Sequence, residues 1–254
     1  MLNQLPRPHA PGTWAFFLDI DGTLIELVDR PDAVRTDPAI VQLLAGLRAA
    51  TGGAVALISG RPVAVIDSLF APLRLPVAGL HGIERRDALG KLHAHSFAAK
   101  PLRWAAGHLA ASASQHAGLI FEDKGLALAL HYRQAPQLEE VARGIAAAVA
   151  KELGEGFELM RGKMVIEIKP GGRDKGAAIE DFLREAPFLG RTPVFVGDDL
   201  TDEYGFSMVN RLGGHSFKVG AGKTAARWRL ADSVEVRAWL TRCAEDMRSD
   251  GGVA

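Results

Sequence analysis

The sequence predicts an α/β protein: a parallel sheet covered by helices on both faces, interrupted by a smaller α+β module. Three observations predict it. Apolar runs of strand length at residues 15–18, 54–58, 76–80 and 193–196 each stop at Gly, Ser, Asp or His. Helical periodicity lies between them, first in Ile40, Leu43, Leu44 and Leu47, and strand–helix alternation of this kind makes parallel sheets. In the middle of the chain the pattern changes to helix, hairpin, helix, hairpin, which makes an antiparallel sheet instead.

The middle elements follow in order. Residues 101–115 are helical in character. Residues 118–121 and 126–131 are strand-like and joined by Glu122-Asp123-Lys124-Gly125. Over 137–153, Leu138, Val141, Ile145, Val149 and Leu153 fall on one helical face. Strands at 157–160 and 164–168 then pair across Arg161-Gly162-Lys163. The α/β pattern resumes after Pro170-Gly171-Gly172, with a strand at 216–219 and a closing helix carrying Val236, Leu240 and Cys243. The expected organisation is a core of residues 1–99 and 171–254 with an inserted unit at 100–170. Arg7, Pro8 and Ser249-Asp250-Gly251-Gly252 are read as frayed ends.

With 254 residues the chain can bury a substantial core. Thirty basic side chains balance thirty acidic ones, so net charge points to neither nucleic acid nor membrane as a partner. One cysteine excludes an internal disulfide framework and fits a reducing compartment. The N-terminus lacks the pattern of a secretory leader, and no apolar run approaches the ~18 residues of a membrane span. A soluble, cytoplasmic protein is expected.

The strand ends carry the chemistry. The first strand runs into Asp19-Ile20-Asp21-Gly22-Thr23, two carboxylates spaced i, i+2 before a glycine that lets the chain turn. Ligands of open α/β sheets sit beyond the carboxyl ends of the strands. Two acids there suit a hard cation such as Mg²⁺, with one free to act as nucleophile. Residues 57–58 run into Ser59-Gly60-Arg61-Pro62, where a hydroxyl and free N–H groups at a helix start could hold a phosphate. Lys175 precedes Gly176-Ala177-Ala178-Ile179, another helix start, where it could neutralise a phosphate and an aspartate. Residues 194–196 end in Gly197-Asp198-Asp199-Leu200-Thr201-Asp202-Glu203, four acids that would repel one another without a cation among them. A solvated acidic loop, or a helix start capped by Thr201, accounts for Asp202 and Glu203 and less well for Asp198 and Asp199, nearest the strand end.

These four places, in this order, resemble the four motifs of the haloacid dehalogenase (HAD) superfamily in its phosphatase form. The resemblance implies a HAD-type Rossmann-like core with an inserted α+β cap of the larger, C2 type. It further implies that Asp19 attacks phosphorus, that Asp21 serves as acid and base, and that Ser59 and Lys175 hold the phosphoryl oxygens. Mg²⁺ would be held by Asp19, Asp198 and the Asp21 carbonyl, with Asp199 and Asp202 behind them.

Further segments are similar to the trehalose-6-phosphate phosphatases: Gly79-Leu80-His81-Gly82-Ile83-Glu84-Arg85-Arg86, Glu122-Asp123-Lys124, His131-Tyr132-Arg133 and Glu167-Ile168-Lys169-Pro170. This resemblance implies a small-molecule substrate, trehalose 6-phosphate, supplied by a separate synthase. Glu122, Lys124 and Glu167 are the candidates for sugar contacts in the cap, with Gly60, Arg61, His81, Glu84 and Arg133 completing the substrate set. Other sugar phosphatases of the superfamily, acting on sucrose phosphate or mannosyl-phosphoglycerate, and a non-catalytic sugar-phosphate sensor are the alternatives. His93, His95, His108 and His116 are read as surface residues.

Overall fold

The computed structural model describes residues 5–249 except 9, 11, 29–33 and 95–98. In chain order the elements are β1 (Trp14–Leu18), α1 (Pro38–Ala50), β2 (Val55–Ile58), α2 (Val63–Phe70), β3 (Val77–Gly79), β4 (Glu84–Arg86) and β5 (Leu92–Ala94). Then come α3 (Ala99–Ser114), β6 (Ile120–Asp123), β7 (Leu128–His131), α4 (Glu139–Leu153), β8 (Phe157–Gly162) and β9 (Val165–Pro170). The chain closes with α5 (Lys175–Leu183), β10 (Thr192–Gly197), α6 (Glu203–Arg211), β11 (His215–Val219), β12 (Trp228–Leu230) and α7 (Ser233–Ser249). It divides into two compact units, Met1–His93 with Asp174–Ala254, and Ala94–Arg173. Among the described residues no helix is long and apolar enough to cross a membrane.

The larger unit is built on a sheet in the order β12-β11-β10-β1-β2-β3-β4-β5. It is parallel from β12 to β3, and β4 then runs antiparallel to β3. Its central strands are apolar throughout because both faces are covered. Trp14, Phe16 and Leu18 of β1 join Val55, Leu57, Val194 and Val196 in one buried layer against α1, α2 and α7. Ala15 and Phe17 face the opposite layer, with Ala56, Ile58, Phe195 and the α5 and α6 residues Ile179, Phe182, Phe206 and Val209. The alternation of side chains along each strand thus divides one apolar run between two cores.

Three differences from the sequence reading have physical reasons. The strand expected at 76–80 ends at Gly79, because Leu80 and His81 turn off with φ of 49° and 57°. The short strands β4, β5 and β12 were not foreseen, since polar segments such as Glu84-Arg85-Arg86 carry no apolar run. Arg7 and Pro8 are not a frayed end: Pro8 is buried, Arg7 pairs with Asp246 at 2.9 Å, and Trp239 Nε1 donates to the Pro6 carbonyl at 3.1 Å. Residues 250–252 of the expected C-terminal frayed end lie outside the described residues, as does His95.

The smaller unit is an antiparallel sheet in the order β6-β7-β9-β8, with α3 and α4 packed on one face. Leu128, Leu130, Ile166 and Ile168 point into that packing with Leu102, Leu109, Ala142 and Ala146. The register aligns Glu122 with Ala129, and Ala129 with Glu167, one residue out of phase with the buried set. Glu122 and Glu167 therefore lie on the sheet face away from the helices.

Trp239 is wholly buried on α7 and packs its ring, tilted, against Phe217 and Phe16 at centroid distances of 4.3 and 6.2 Å. Trp239→Ala is expected to lower the unfolding free energy by about 3–5 kcal/mol, read from urea denaturation at unchanged slope.

Candidate active site

Parallel pairing sets the site. Leu18 is in register with Val196 on one side and Leu57 on the other, so Asp19, Gly197-Asp198 and Ile58-Ser59 emerge at the same edge of the sheet. The strand stops at Leu18, and the Asp19 N–H still donates to the Val196 carbonyl at 3.0 Å. Beyond it the chain turns through Gly22, whose φ is +81°. A Cβ on Gly22 would also overlap the Asp198 carboxylate, so both the turn and the approach of the two acidic loops require glycine there.

Lys175 is the centre of the charge arrangement. It is the first residue of α5, behind an Asp174 N-cap whose side chain accepts from the Ala177 N–H at 2.8 Å. Its ammonium is buried and donates to Asp19 Oδ1 at 2.7 Å and to Asp202 Oδ1 at 2.6 Å. Burial opposes that charge, but the two carboxylates outweigh it and hold the lysine well above its ordinary value. Burial lifts the Asp19 carboxyl well above the usual range; the Asp202 and Asp198 charges add to this and Lys175 opposes it.

Carboxylate oxygens of Asp19, Asp198 and Asp202 lie within 4.8 Å of one another. Three acids thus face the one ammonium that bridges two of them, an excess of negative charge that a divalent cation would balance. The donor set fits a hard cation: every group is a carboxylate, and Asp19 Oδ2 is buried with no hydrogen-bond partner among the described residues. Asp202 is more committed. Its Oδ1 takes Lys175 and its Oδ2 accepts from the Asp199 N–H at 2.8 Å.

The loop after β10 differs from the expected cap. Asp199, not Thr201, caps the turn at Leu200–Asp202, accepting from the Asp202 N–H while the Asp202 side chain returns the bond to Asp199. Gly197 permits this fold-back, since a Cβ there would overlap the Asp202 side chain. Asp202, which the resemblance sets behind the metal residues, stands at the helix start as the N-cap position of α6 and is fully buried against Lys175. Lys218 was not singled out. It is buried on β11, and its ammonium donates to the Asp198 and Val219 carbonyls at 2.5 and 2.7 Å, tying down the backbone of the acidic loop.

The other predicted residues are distributed as follows. Ser59 is buried, and its Oγ accepts from the Arg61 N–H at 3.1 Å. The helix after it begins at Val63 with Pro62 as N-cap, and the Val63 N–H donates to Glu84. That helix start is therefore less open to a phosphate than expected, and Glu84 serves as its cap. His81 is buried with its ring against Gly60, and its N–H donates to the Ser59 carbonyl at 2.9 Å. Asp21 is turned out of the acidic cluster: Arg61 Nε and Nη2 donate to its two oxygens at 2.7 and 2.8 Å.

In the smaller unit Lys124 pairs with Glu167 at 2.5 Å, and Glu122 with His131 at 2.8 Å. Burial works to raise the Glu122 carboxyl, but the His131 hydrogen bond and the Lys124 charge outweigh it and hold it low. His131 opposes Ile120 across β6 and β7 and shares the Glu122 face. Arg133 donates to the Lys163 carbonyl at 3.1 Å. Among the surface histidines, His93 is bound to Asp87 at 2.8 Å.

Because the cluster carries excess negative charge, a divalent cation at a hundredfold excess over its Kd is expected to stabilise the fold by about 2.7 kcal/mol. Thermal unfolding with and without EDTA measures this, and Asp198→Asn is expected to remove most of the rise.

Residues 17–234 match the model of the trehalose-phosphatase family. The chain is 48% identical over 233 residues to a trehalose-6-phosphate phosphatase of Escherichia coli, covering 92% of this chain and 87% of that protein. It is 45% identical over 207 residues to a probable trehalose-phosphate phosphatase of Sinorhizobium fredii, covering 82% and 78%. The fold is similar to that of a C. albicans trehalose-6-phosphate phosphatase C-terminal domain, with a TM-score of 0.80 at 23% identity over 92% of this chain and 93% of that one. A haloacid dehalogenase-like hydrolase from B. subtilis shares it at a TM-score of 0.64 and 14% identity, over 91% and 99%. Strand-end aspartates, an inserted α+β unit and a family match along most of the chain coincide, and the protein belongs to the trehalose-phosphatase family.

Proposed function

We propose that the protein hydrolyses trehalose 6-phosphate to trehalose and phosphate through an aspartyl phosphate on Asp19, with Mg²⁺ as cofactor. The observation that carries this reading is Asp19 itself, a buried carboxylate with one oxygen on Lys175 and the other without a hydrogen bond among the described residues. The 48% identity to the E. coli enzyme supports the choice of sugar.

In the first half-reaction a bond forms between an Asp19 oxygen and phosphorus while the bond to the sugar oxygen breaks. Asp21 gives its proton to the departing oxygen. In the second, water attacks phosphorus, Asp21 takes its proton, and Asp19 leaves as the carboxylate. Lys175 and Ser59 hold the phosphoryl oxygens, with Gly60 and Arg61 completing that loop. Asp202 steers the ammonium of Lys175, and Asp199 shapes the loop that carries Asp198. When bound by Asp19, Asp198 and the Asp21 carbonyl, Mg²⁺ offsets the repulsion between the carboxylate and the phosphate dianion.

The inserted unit acts as the cap that selects substrate. Glu122, Lys124 and Glu167 share a polar sheet face, and a closed site with such groups rejects sugars that leave them unpaired. His81 and Arg133 support the same substrate, which a separate synthase supplies in the cytoplasm.

Phosphate release from trehalose 6-phosphate is expected to exceed release from glucose 6-phosphate, sucrose 6-phosphate and p-nitrophenyl phosphate, and to stop in EDTA. Asp19→Asn is expected to abolish it. Glu167→Gln should raise KM for trehalose 6-phosphate about tenfold or more, as for a lost charge-assisted hydrogen bond, and leave p-nitrophenyl phosphate turnover nearly unchanged. Equal turnover of trehalose and glucose 6-phosphates would refute the substrate assignment.

A further inference from the structure

The fork between Arg61 and Asp21 conflicts with the role of Asp21. Arg61 Nε and Nη2 occupy both carboxylate oxygens at 2.7 and 2.8 Å, in the planar bidentate geometry that guanidinium and carboxylate favour. A carboxylate gripped at both oxygens commits a lone pair of each to Arg61 and keeps one on each for a leaving group or a water, so the fork competes with the role assigned to Asp21. The side chains are 14% and 27% exposed, so the pair sits at the mouth of the site rather than sealed beneath it.

We propose that Arg61 exchanges partners during the reaction: it holds Asp21 in the free enzyme and transfers to the phosphoryl oxygens of the bound ester, releasing Asp21 to act. The inference rests on the assignment of Asp19 and Asp21 made above. Three observations support the exchange. The Arg61 N–H is bonded to Ser59 Oγ, so the side chain starts beside the hydroxyl assigned to the phosphoryl group. Its present partner stands two residues from Asp19, the carboxylate assigned to attack phosphorus, on the same turn after β1. A phosphate dianion offers the same bidentate geometry as a carboxylate with more charge, and so competes well for the fork.

The exchange ties the availability of the acid–base group to the presence of substrate. In its absence Arg61 keeps Asp21 from serving as a base toward water. On binding, the guanidinium adds charge to the phosphoryl group alongside Lys175. Lysine in its place would supply charge without the fork.

The direct test is a crystal structure of the wild-type enzyme with Mg²⁺ and inorganic phosphate, the product, at the site. Arg61 is expected on the phosphate oxygens, with at least one Asp21 oxygen released. An intact two-bond Arg61–Asp21 fork beside bound phosphate would overturn the exchange. In solution, Arg61→Gln is expected to weaken competitive inhibition by phosphate about tenfold or more, with Arg61→Lys recovering part of the loss. Undiminished phosphate inhibition in Arg61→Gln with a lowered kcat on trehalose 6-phosphate would show that Arg61 only orients Asp21. Absence of trehalose 6-phosphate turnover in the wild type would instead refute the proposed function, which separates the two failures.

Discussion

The ion-paired ammonium of Lys175 is the interaction on which the site depends. A lysine with 3% of its surface exposed is costly to bury alone, and Asp19 and Asp202 are costly for the same reason. Each offsets the other only because α5, β1 and the loop after β10 bring them within 2.6–2.7 Å. Removing Lys175 would leave Asp19 and Asp202 without their shared cation in the interior. With Asp198 the three acids outnumber that ammonium by two, which makes the same three elements receptive to a cation.

The backbone bears much of the work of keeping these loops together. Gly22 and Gly197 each stand where a Cβ would overlap an aspartate of the cluster. The Asp199–Asp202 capping box folds the acidic loop back onto itself, and Lys218 ties its first carbonyl to the next strand. At the neighbouring strand end, the left-handed Leu80 and His81 hold the Ser59–Arg61 loop through two backbone hydrogen bonds. Left-handed conformations at such residues are strained, and they persist where surrounding packing over-determines them. The loops of the site are therefore held by backbone bonds and packing, while the Arg61–Asp21 pair is only half-buried.

In the smaller unit, the period of two in the strands separates an apolar face for α3 and α4 from a face of paired charges. Lys124 with Glu167 and Glu122 with His131 satisfy one another there. Such pairs are poor sources of stability, so the unit is held by its apolar face rather than by them. Glu122 illustrates the limit of sequence reading: its charge and strand position were legible, while its histidine partner nine residues on depended on the hairpin register.

By itself the sequence determined what local pattern can carry. Apolar runs ending in Asp, Ser or Gly mark strands of a doubly covered sheet and the edge where a ligand sits, because burial on both faces demands continuous hydrophobicity. Asp19, Ser59, Lys175 and Asp198 could be named from those ends, and the period change in the middle of the chain announced the inserted unit. Only the tertiary structure decided which charges meet. Asp202 lies 27 residues from Lys175 and Asp21 lies 40 from Arg61, and no periodicity links positions so distant. Sheet order and register bring them together, and the low dielectric of the interior then turns proximity into strong pairing. Thr201 was mistaken for a cap for the same reason: its neighbours Asp199 and Asp202 close the turn between them, a choice made by the packing around Gly197 rather than by the identity of any one residue.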